Sequence, residues 1–114
     1  MVSKALRRKL LKFRRDRDWE QFHSPRTLAI AISVEAAELL EHFQWIQEVD
    51  VAKQAEQARV NIAHEIADLV ILLTYIANDL DLDIDKIVRE KLRINKSKYP
   101  VAKSRGSPRK YTSL

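Results

Sequence analysis

Residues 28–40, Leu-Ala-Ile-Ala-Ile-Ser-Val-Glu-Ala-Ala-Glu-Leu-Leu, decide the fold because they set two carboxylates, Glu35 and Glu38, inside an apolar segment. A spacing of i to i+3 puts both carboxylates on one face of a helix. A second apolar segment repeats the arrangement with Glu65 and Asp68. Carboxylates beside an apolar face are costly to desolvate unless a cation compensates them. Two such helices packed together would aim four carboxylates at one point, which predicts a site for a hard divalent cation.

The composition predicts an all-α protein. The 114 residues include one Gly and three Pro, and 46% of them are hydrophobic. Few turn residues favour long helices joined by short loops, and an all-β fold is nearly excluded. We expect a four-helix bundle-like protomer that assembles into a homodimer or tetramer, because its second and third helices carry more apolar surface than one chain of this size can cover.

The predicted helix boundaries rest on caps and periodicity. A basic helix with an apolar stripe is expected over residues 3–17. Ser24 as N-cap and Pro25 at the first position predict a second helix that runs to about residue 46. Asp50 is predicted to cap a third helix that runs to about residue 78. The fourth helix is expected over residues 84–98. Residues 1–100 then form one helical domain, and residues 101–114 form an irregular basic arm.

The chain is expected to be cytoplasmic and to have no membrane partner. It contains no cysteine, and its first residues are basic throughout rather than typical of a signal peptide. The longest apolar run, residues 69–77, is too short to cross a bilayer. We therefore interpret this run as part of a core helix.

Charge is segregated along the chain. Residues 1–23 carry eight Lys/Arg against three acids, residues 24–85 carry three against twelve, and residues 86–114 carry ten against one. An acidic site beside basic segments suits a polyanionic ligand bound through a cation. Oxygen ligands without cysteine favour Mg²⁺, with Mn²⁺ possible, over zinc.

Two motifs resemble those of a known family. The pairs Glu35-Ala-Ala-Glu38 and Glu65-Ile-Ala-Asp68 are similar to the signature of the MazG-like superfamily of all-α nucleoside triphosphate pyrophosphohydrolases. Further segments resemble its dCTP pyrophosphatase branch: Asp18-Trp-Glu-Gln-Phe-His-Ser-Pro-Arg26, Glu41-His-Phe-Gln-Trp45, Lys98-Tyr-Pro100, Ser104-Arg-Gly106 and Lys110-Tyr-Thr112.

The resemblance implies a reaction and a cofactor. A nucleoside triphosphate would be hydrolysed to the monophosphate and pyrophosphate, and the expected substrate is dCTP or a modified dCTP. The expected purpose of this reaction is sanitation of the nucleotide pool. Mg²⁺ would be held by Glu35, Glu38, Glu65 and Asp68. A carboxylate can also orient or deprotonate the attacking water, and we assign this second, catalytic role to Glu38.

The resemblance also implies substrate contacts. A nucleobase needs flat apolar walls and a few polar groups. From the residues alone, the aromatic side chains are more typical of a core or an interface than of a base pocket. The resemblance reverses this preference and assigns the pocket to Trp19, Gln21, Phe22, His23 and Trp45. Phosphate contacts are predicted for residues that recur every four positions, with a solvated basic face as the alternative: Lys91, Asn95 and Tyr99, together with Arg105 or Lys110.

Three positions depart from the pattern of the family. Val34 stands where many members have a further Glu, Leu72 where a Tyr can stand, and Leu10 where a polar residue can stand. These differences leave the predicted metal site intact. They leave the identity of the preferred base open.

Two other classes of protein were weighed. A sequence pI of about 9.6 and two basic ends are typical of a nucleic-acid-binding module, and apolar helices are typical of an oligomeric scaffold. Neither class explains four carboxylates set against apolar runs. Nucleic acid is therefore an unlikely partner, and the expected partners are a nucleoside triphosphate and further copies of the chain.

Overall fold

The computed structural model describes residues 1–114 as helices and turns, without a strand. The helices are α1 (Lys4–Asp16), α2 (Pro25–Glu41), α3 (Val51–Gln57), α4 (Arg59–Asp79), α5 (Ile84–Lys98) and α6 (Val101–Ser104). Single 3₁₀ turns cover Glu20–Phe22, Glu48–Asp50 and Tyr111–Ser113. The all-α prediction is confirmed, although the chain forms six α-helices rather than the expected four.

The chain divides into two compact units, and the first is Val2–Asp81. Within it α2 and α4 pack along each other, and α1 and α3 each contact α4. The small core of this unit is centred on Leu28, which is 1% exposed, with Tyr75 and Ala77 also buried. The predicted acidic pairs therefore lie on the two helices that pack most extensively.

The second unit is Leu82–Leu114 together with Met1. Asp83 caps α5 by accepting a hydrogen bond from the Lys86 backbone N–H, and the N-terminal ammonium of Met1 pairs with Asp85 in the first turn. At the other end of α5, the ring of Tyr99 packs edge-on against Tyr111. An acidic first turn and basic last turn both favour the helix dipole of α5.

The predicted start of α2 is confirmed. The Ser24 hydroxyl accepts a hydrogen bond from the Thr27 backbone N–H at 3.1 Å, and the Thr27 hydroxyl accepts one from the Ser24 backbone N–H at 2.8 Å. Pro25 occupies the first turn, where a missing N–H leaves no partner unsatisfied. This capping box ends the preceding loop sharply and sets where α2 begins.

The predicted end of the second helix, near Ile46, is wrong. α2 ends at Glu41, and the Phe43 N–H turns back to the Leu40 carbonyl at 2.9 Å. The next residues include His, Phe and Trp, whose helix propensity is low, so a tight turn competes well with another helical turn. Trp45 consequently lies in a turn rather than on a helix face.

The predicted third helix is split in two. It breaks at Ala58, whose backbone departs from helical geometry, so that α3 packs on the preceding 3₁₀ turn while α4 packs along α2. No Gly or Pro lies at the break, so no local signal in the sequence predicts it. Asp50 stands at the N-cap of α3, but its side chain makes no capping hydrogen bond, so its predicted capping role is wrong.

The predicted irregular arm is partly helical. Pro100 ends α5 and opens α6, and a last 3₁₀ turn covers Tyr111–Ser113. The one glycine, Gly106, has a φ of +77°, which suits the turn after α6 because a residue without Cβ adopts this region freely.

α4 is long and apolar enough, by length and composition alone, to cross a membrane. The predicted short apolar run is thus part of a 21-residue helix. The same helix carries Glu65 and Asp68 and packs along α2. α4 thus combines packing along α2 with large apolar side chains that remain exposed.

Candidate metal centre

Three carboxylates from two helices converge in the first unit. One carboxylate oxygen each of Glu35, Glu38 and Glu65 lies within 4.8 Å of the others, and all three residues are half-buried. Glu35 and Glu38 share a face of α2 one turn apart, and the packing of α4 along α2 brings Glu65 opposite them. The predicted convergence of the two motifs is thereby seen for three of the four residues.

The surroundings of Glu35 disfavour its charged form. Burial raises the pKa of Glu35, and a hydrogen bond with Glu38, the charge of Glu38 and the charges of Asp68 and Glu65 raise it further. Its Oε2 atom is buried without a hydrogen-bond partner. A cation placed among these oxygens would supply the missing partner and offset the repulsion, so the residues present fit a hard divalent metal ion.

Asp68, the fourth predicted ligand, lies at the edge of the centre. Its residue is exposed, and it is not part of the set of three that lies within 4.8 Å. It is still close enough that its charge contributes to the raised pKa of Glu35. Its role as a ligand stays a prediction.

His42 is a further neighbour of the centre, and the sequence analysis does not predict it. Its Nε2 atom lies 3.8 Å from Oε1 of Glu65, and both side chains are mostly buried. The signal was present in the sequence, because His42 follows Glu38 by four residues and so shares its face at the end of α2. Protonated, His42 would add a positive charge beside Glu65.

The predicted base-binding segment is a short loop between α1 and α2. Trp19 packs edge-on against Phe13 with ring centroids 5.6 Å apart, whereas Phe22 is 64% exposed. The Gln21 amide donates hydrogen bonds to the backbone carbonyl and the carboxylate of Asp18, at 3.1 and 2.8 Å. The Gln21 side chain thus stabilises the loop through hydrogen bonds within it, and the aromatic rings remain free to face outward.

His23, at the end of this loop, is half-buried rather than free. Its ring lies 5.7 Å from that of Tyr75, and its Nδ1 atom lies 3.5 Å from Nη1 of Arg14. Burial lowers the pKa of His23, and the charge of Arg14 lowers it further. The ring is therefore neutral at pH 7.

Trp45 is the most exposed aromatic ring of the chain. Its residue is 85% exposed in the turn that follows α2. Large apolar side chains left so open are typical of binding surfaces. No packing role within the chain accounts for Trp45, and its predicted contact with a base stays a prediction.

The predicted phosphate ligands Lys91, Asn95 and Tyr99 lie in the second unit. Lys91 and Asn95 are on α5, and Tyr99 is the C-cap, whose N–H donates to the Asn95 carbonyl at 2.8 Å. Lys91 is exposed, and the Tyr99 ring is engaged by Tyr111. Their contact with phosphate stays a prediction.

Comparisons with known proteins agree with this geometry. The MazG-like family model matches residues 30–114. dCTP pyrophosphatase 1 from Rattus norvegicus is 40% identical over 111 residues, which cover 96% of this chain and 65% of the relative. The protein of the same name from Homo sapiens is 38% identical over 96% of this chain and 65% of its own length. The chain thus spans about 65% of the length of these curated relatives.

A solved structure supports the same grouping. A pyrophosphatase from Archaeoglobus fulgidus superimposes with a TM-score of 0.83 and 35% sequence identity, over 85% of this chain and 91% of that chain. The family model covers most of the chain, including both acidic motifs. By its sequence, and in agreement with the fold, this chain belongs to the MazG-like family.

Proposed function

We propose that this protein hydrolyses a nucleoside triphosphate to the nucleoside monophosphate and pyrophosphate. The observation that carries the proposal is the convergence of Glu35, Glu38 and Glu65 within 4.8 Å on two packed helices. Membership of the MazG-like family and the similarity to proteins called dCTP pyrophosphatase 1 support it. Removal of unwanted nucleotides in the cytoplasm is the proposed cellular purpose.

Mg²⁺ is the proposed cofactor, and Mn²⁺ is an alternative. The ligands would be Glu35, Glu38 and Glu65, with Asp68 from the edge of the centre. Carboxylates are hard oxygen ligands, and this ligand set contains no thiolate. When bound, the metal ion would neutralise charge on the triphosphate and make its phosphorus more electrophilic.

A carboxylate of the chain would accept the proton that the attacking water loses. Water forms the new P–O bond as the bond to the departing pyrophosphate breaks, and Glu38 accepts the proton that the water loses. Glu38 suits this role because it is half-buried and one of its carboxylate oxygens lies within 4.8 Å of oxygens of Glu35 and Glu65. Glu35, Glu65 and Asp68 would act as ligands alone.

Deoxycytidine triphosphate, or a 5-modified form, is the proposed substrate. The names of the relatives support this base, and the exposed rings of Trp19, Phe22 and Trp45 offer surfaces for stacking. Leu10 and Leu72 stand at positions where related proteins can have polar residues. The contacts with the base should therefore differ in detail from those in the related proteins.

We also propose that the protein acts as a homodimer or as a dimer of dimers. Large apolar side chains are exposed along both central helices: Ile30, Val34 and Leu40 on α2, and Val60, Ile66 and Leu73 on α4. A soluble chain of 114 residues rarely leaves that much apolar surface in water. A second copy would bury this surface.

The decisive experiment is a substrate panel. Purified protein is incubated with Mg²⁺ and each canonical or 5-modified nucleoside triphosphate, and monophosphate and pyrophosphate are measured together. We expect stoichiometric release of both products, fastest with a deoxycytidine nucleotide, and no reaction in excess EDTA. Release of inorganic phosphate with a diphosphate, or no turnover with any nucleotide, would overturn the proposal.

A further inference from the structure

An ion pair between α1 and α4 lies directly beneath the loop that is proposed to bind the base. Arg14 donates two hydrogen bonds to Asp79, each of 2.8 Å, in a bidentate arrangement. The Arg14 side chain is 4% exposed and that of Asp79 is 24% exposed. An almost fully buried arginine is costly unless it is paired, so this geometry is strongly specified.

Arg14 also reaches the loop at both of its ends. Its backbone carbonyl accepts hydrogen bonds from the N–H groups of Arg17, at 3.3 Å, and Trp19, at 3.1 Å. Its guanidinium lies 3.5 Å from Nδ1 of His23 and 4.6 Å from the centre of the Tyr75 ring. The Arg14 side chain thus contacts the last residue of the loop, whereas its backbone contacts the first aromatic residue.

The Arg14 contact selects one form of the His23 ring. A guanidinium only donates, so this 3.5 Å contact favours the tautomer in which Nδ1 of His23 accepts and the ring proton lies on Nε2. The charged or titratable groups that face the ring are Arg14 from α1 and Asp79 and Tyr75 from α4. Burial and Arg14 lower the pKa of His23 while Asp79 opposes them, and the net result is a neutral ring.

Tyr75 anchors the same arrangement to the core. Its ring is buried, and its hydroxyl donates a 2.9 Å hydrogen bond to the Leu10 carbonyl of α1. The loop itself makes a sharp turn at Asp18, whose φ is +54°, a conformation that non-glycine residues rarely adopt. A loop with such a turn needs outside support to hold one conformation.

We propose that Arg14, locked by Asp79, is a positioning residue that holds the loop of residues 18–23 and the Nε2–H tautomer of His23 in a conformation ready to bind the base. The inference rests on the proposed function for its kinetic part only. It assigns Arg14 no contact with substrate. Its effect is that Trp19 and His23 need not be ordered when the nucleotide arrives, which is a preorganisation of the base site.

The test uses a paired variant, Arg14→Met with Asp79→Leu, which removes both charges and keeps apolar volume in the buried site. Arg14→Lys is the second variant, because lysine keeps the charge but loses the bidentate fork. Arg15→Met is the matched control, since Arg15 is the exposed neighbour on α1. Circular dichroism and the thermal shift caused by Mg²⁺ check that the fold and the metal centre are unchanged.

Two readouts are independent of activity. The first is acrylamide quenching of Trp19 fluorescence in a Trp45→Phe background, where Trp19 is the only tryptophan. The second is the ¹⁵N shift pattern of His23, assigned with His23→Gln. We expect stronger quenching and a mixture of His23 tautomers in both Arg14 variants, with no change in the control.

The kinetic readout separates positioning from chemistry. We expect KM for the preferred nucleotide to rise about tenfold in the paired variant while kcat stays within about twofold, because the ordering cost falls on binding. Discrimination between bases should shrink as well. If the paired variant does not fold, Arg14→Lys decides by the same measurements.

The outcomes distinguish this inference from the proposed function. If no triphosphate is consumed by the wild type, the proposed function fails, while quenching and the His23 tautomer still decide whether Arg14 orders the loop. Wild-type quenching and tautomer in a folded variant would overturn the positioning role. A fall in kcat with unchanged KM would overturn it too, because Arg14 would then act on the chemical step.

Discussion

A carboxylate oxygen of Glu35 lies within 4.8 Å of one of Glu65, although the two residues are carried by different helices. The approach is made by packing, since α2 and α4 lie along each other while Glu38 adds a third carboxylate from the turn after Glu35. Three negative charges at this separation repel one another in the protein without metal. The first predictions follow from this repulsion.

Glu38→Gln and Asp68→Asn should each abolish turnover and leave the fold intact. Either amide removes one negative charge from the centre, so the metal-free protein should melt at the same temperature or higher. Activity with Mg²⁺ and thermal melting followed by circular dichroism decide the matter. Glu41→Gln, an exposed acid on the same helix, is the control and should behave as wild type. Substantial activity in both variants would contradict the ligand assignment.

In the metal-free protein, the contribution of Glu35 to folding stability should depend on pH. Because the pKa of Glu35 is raised, chiefly by burial, the folded state holds this proton more tightly than the unfolded chain. The contribution of Glu35 to stability therefore falls as pH rises from the ordinary Glu value of about 4.3 through the raised value.

The contribution of Glu35 is measured as a difference between two proteins. His23 titrates in the opposite sense, because its pKa is lowered and its stabilisation is lost as pH falls. Denaturant unfolding in EDTA across this range should give a wild-type stability that drops relative to Glu35→Gln as pH increases. Parallel curves for the two proteins would show that Glu35 does not titrate abnormally.

Trp45→Ala should weaken binding of the base and spare the chemistry. Stacking on an aromatic ring is worth roughly 1–3 kcal/mol, so KM for the preferred nucleotide should rise about tenfold to a hundredfold and base preference should shrink. Residual hydrolysis at high substrate should survive because the carboxylates are untouched. The 85% exposed ring predicts no loss of stability. An unchanged KM and base preference would mean that the base site lies elsewhere.

The protein should be a dimer or tetramer at micromolar concentration. Light scattering measures this directly, and Ile30→Lys should shift the population toward the monomer by placing a charge on the exposed apolar face of α2. Val101→Lys is the control, because Val101 is exposed on α6 in the other unit and should leave the mass unchanged. A wild-type chain that remains monomeric would refute the prediction.

Interactions between residues close in the chain determined most of the helices and the Glu35–Glu38 half of the metal centre. Ser24 and Pro25 set the start of α2 through contacts within one turn, and the spacing of Glu35 and Glu38 put both carboxylates on one face without reference to any other element. The prediction that the metal ligands are oxygen atoms likewise depends only on the residue types in the sequence. These features depend on residues that are neighbours in the chain, so the sequence alone was enough to predict them.

Only the tertiary structure decided features that depend on distant contacts. The break at Ala58, which no neighbouring Gly or Pro signals, is seen only in the structure. The approach of His42 to Glu65 and the bidentate pair of Arg14 with Asp79 join residues from different helices. Asp68 follows Glu65 at the same spacing at which Glu38 follows Glu35, but it lies exposed and outside the set of three carboxylates, which spacing alone does not predict.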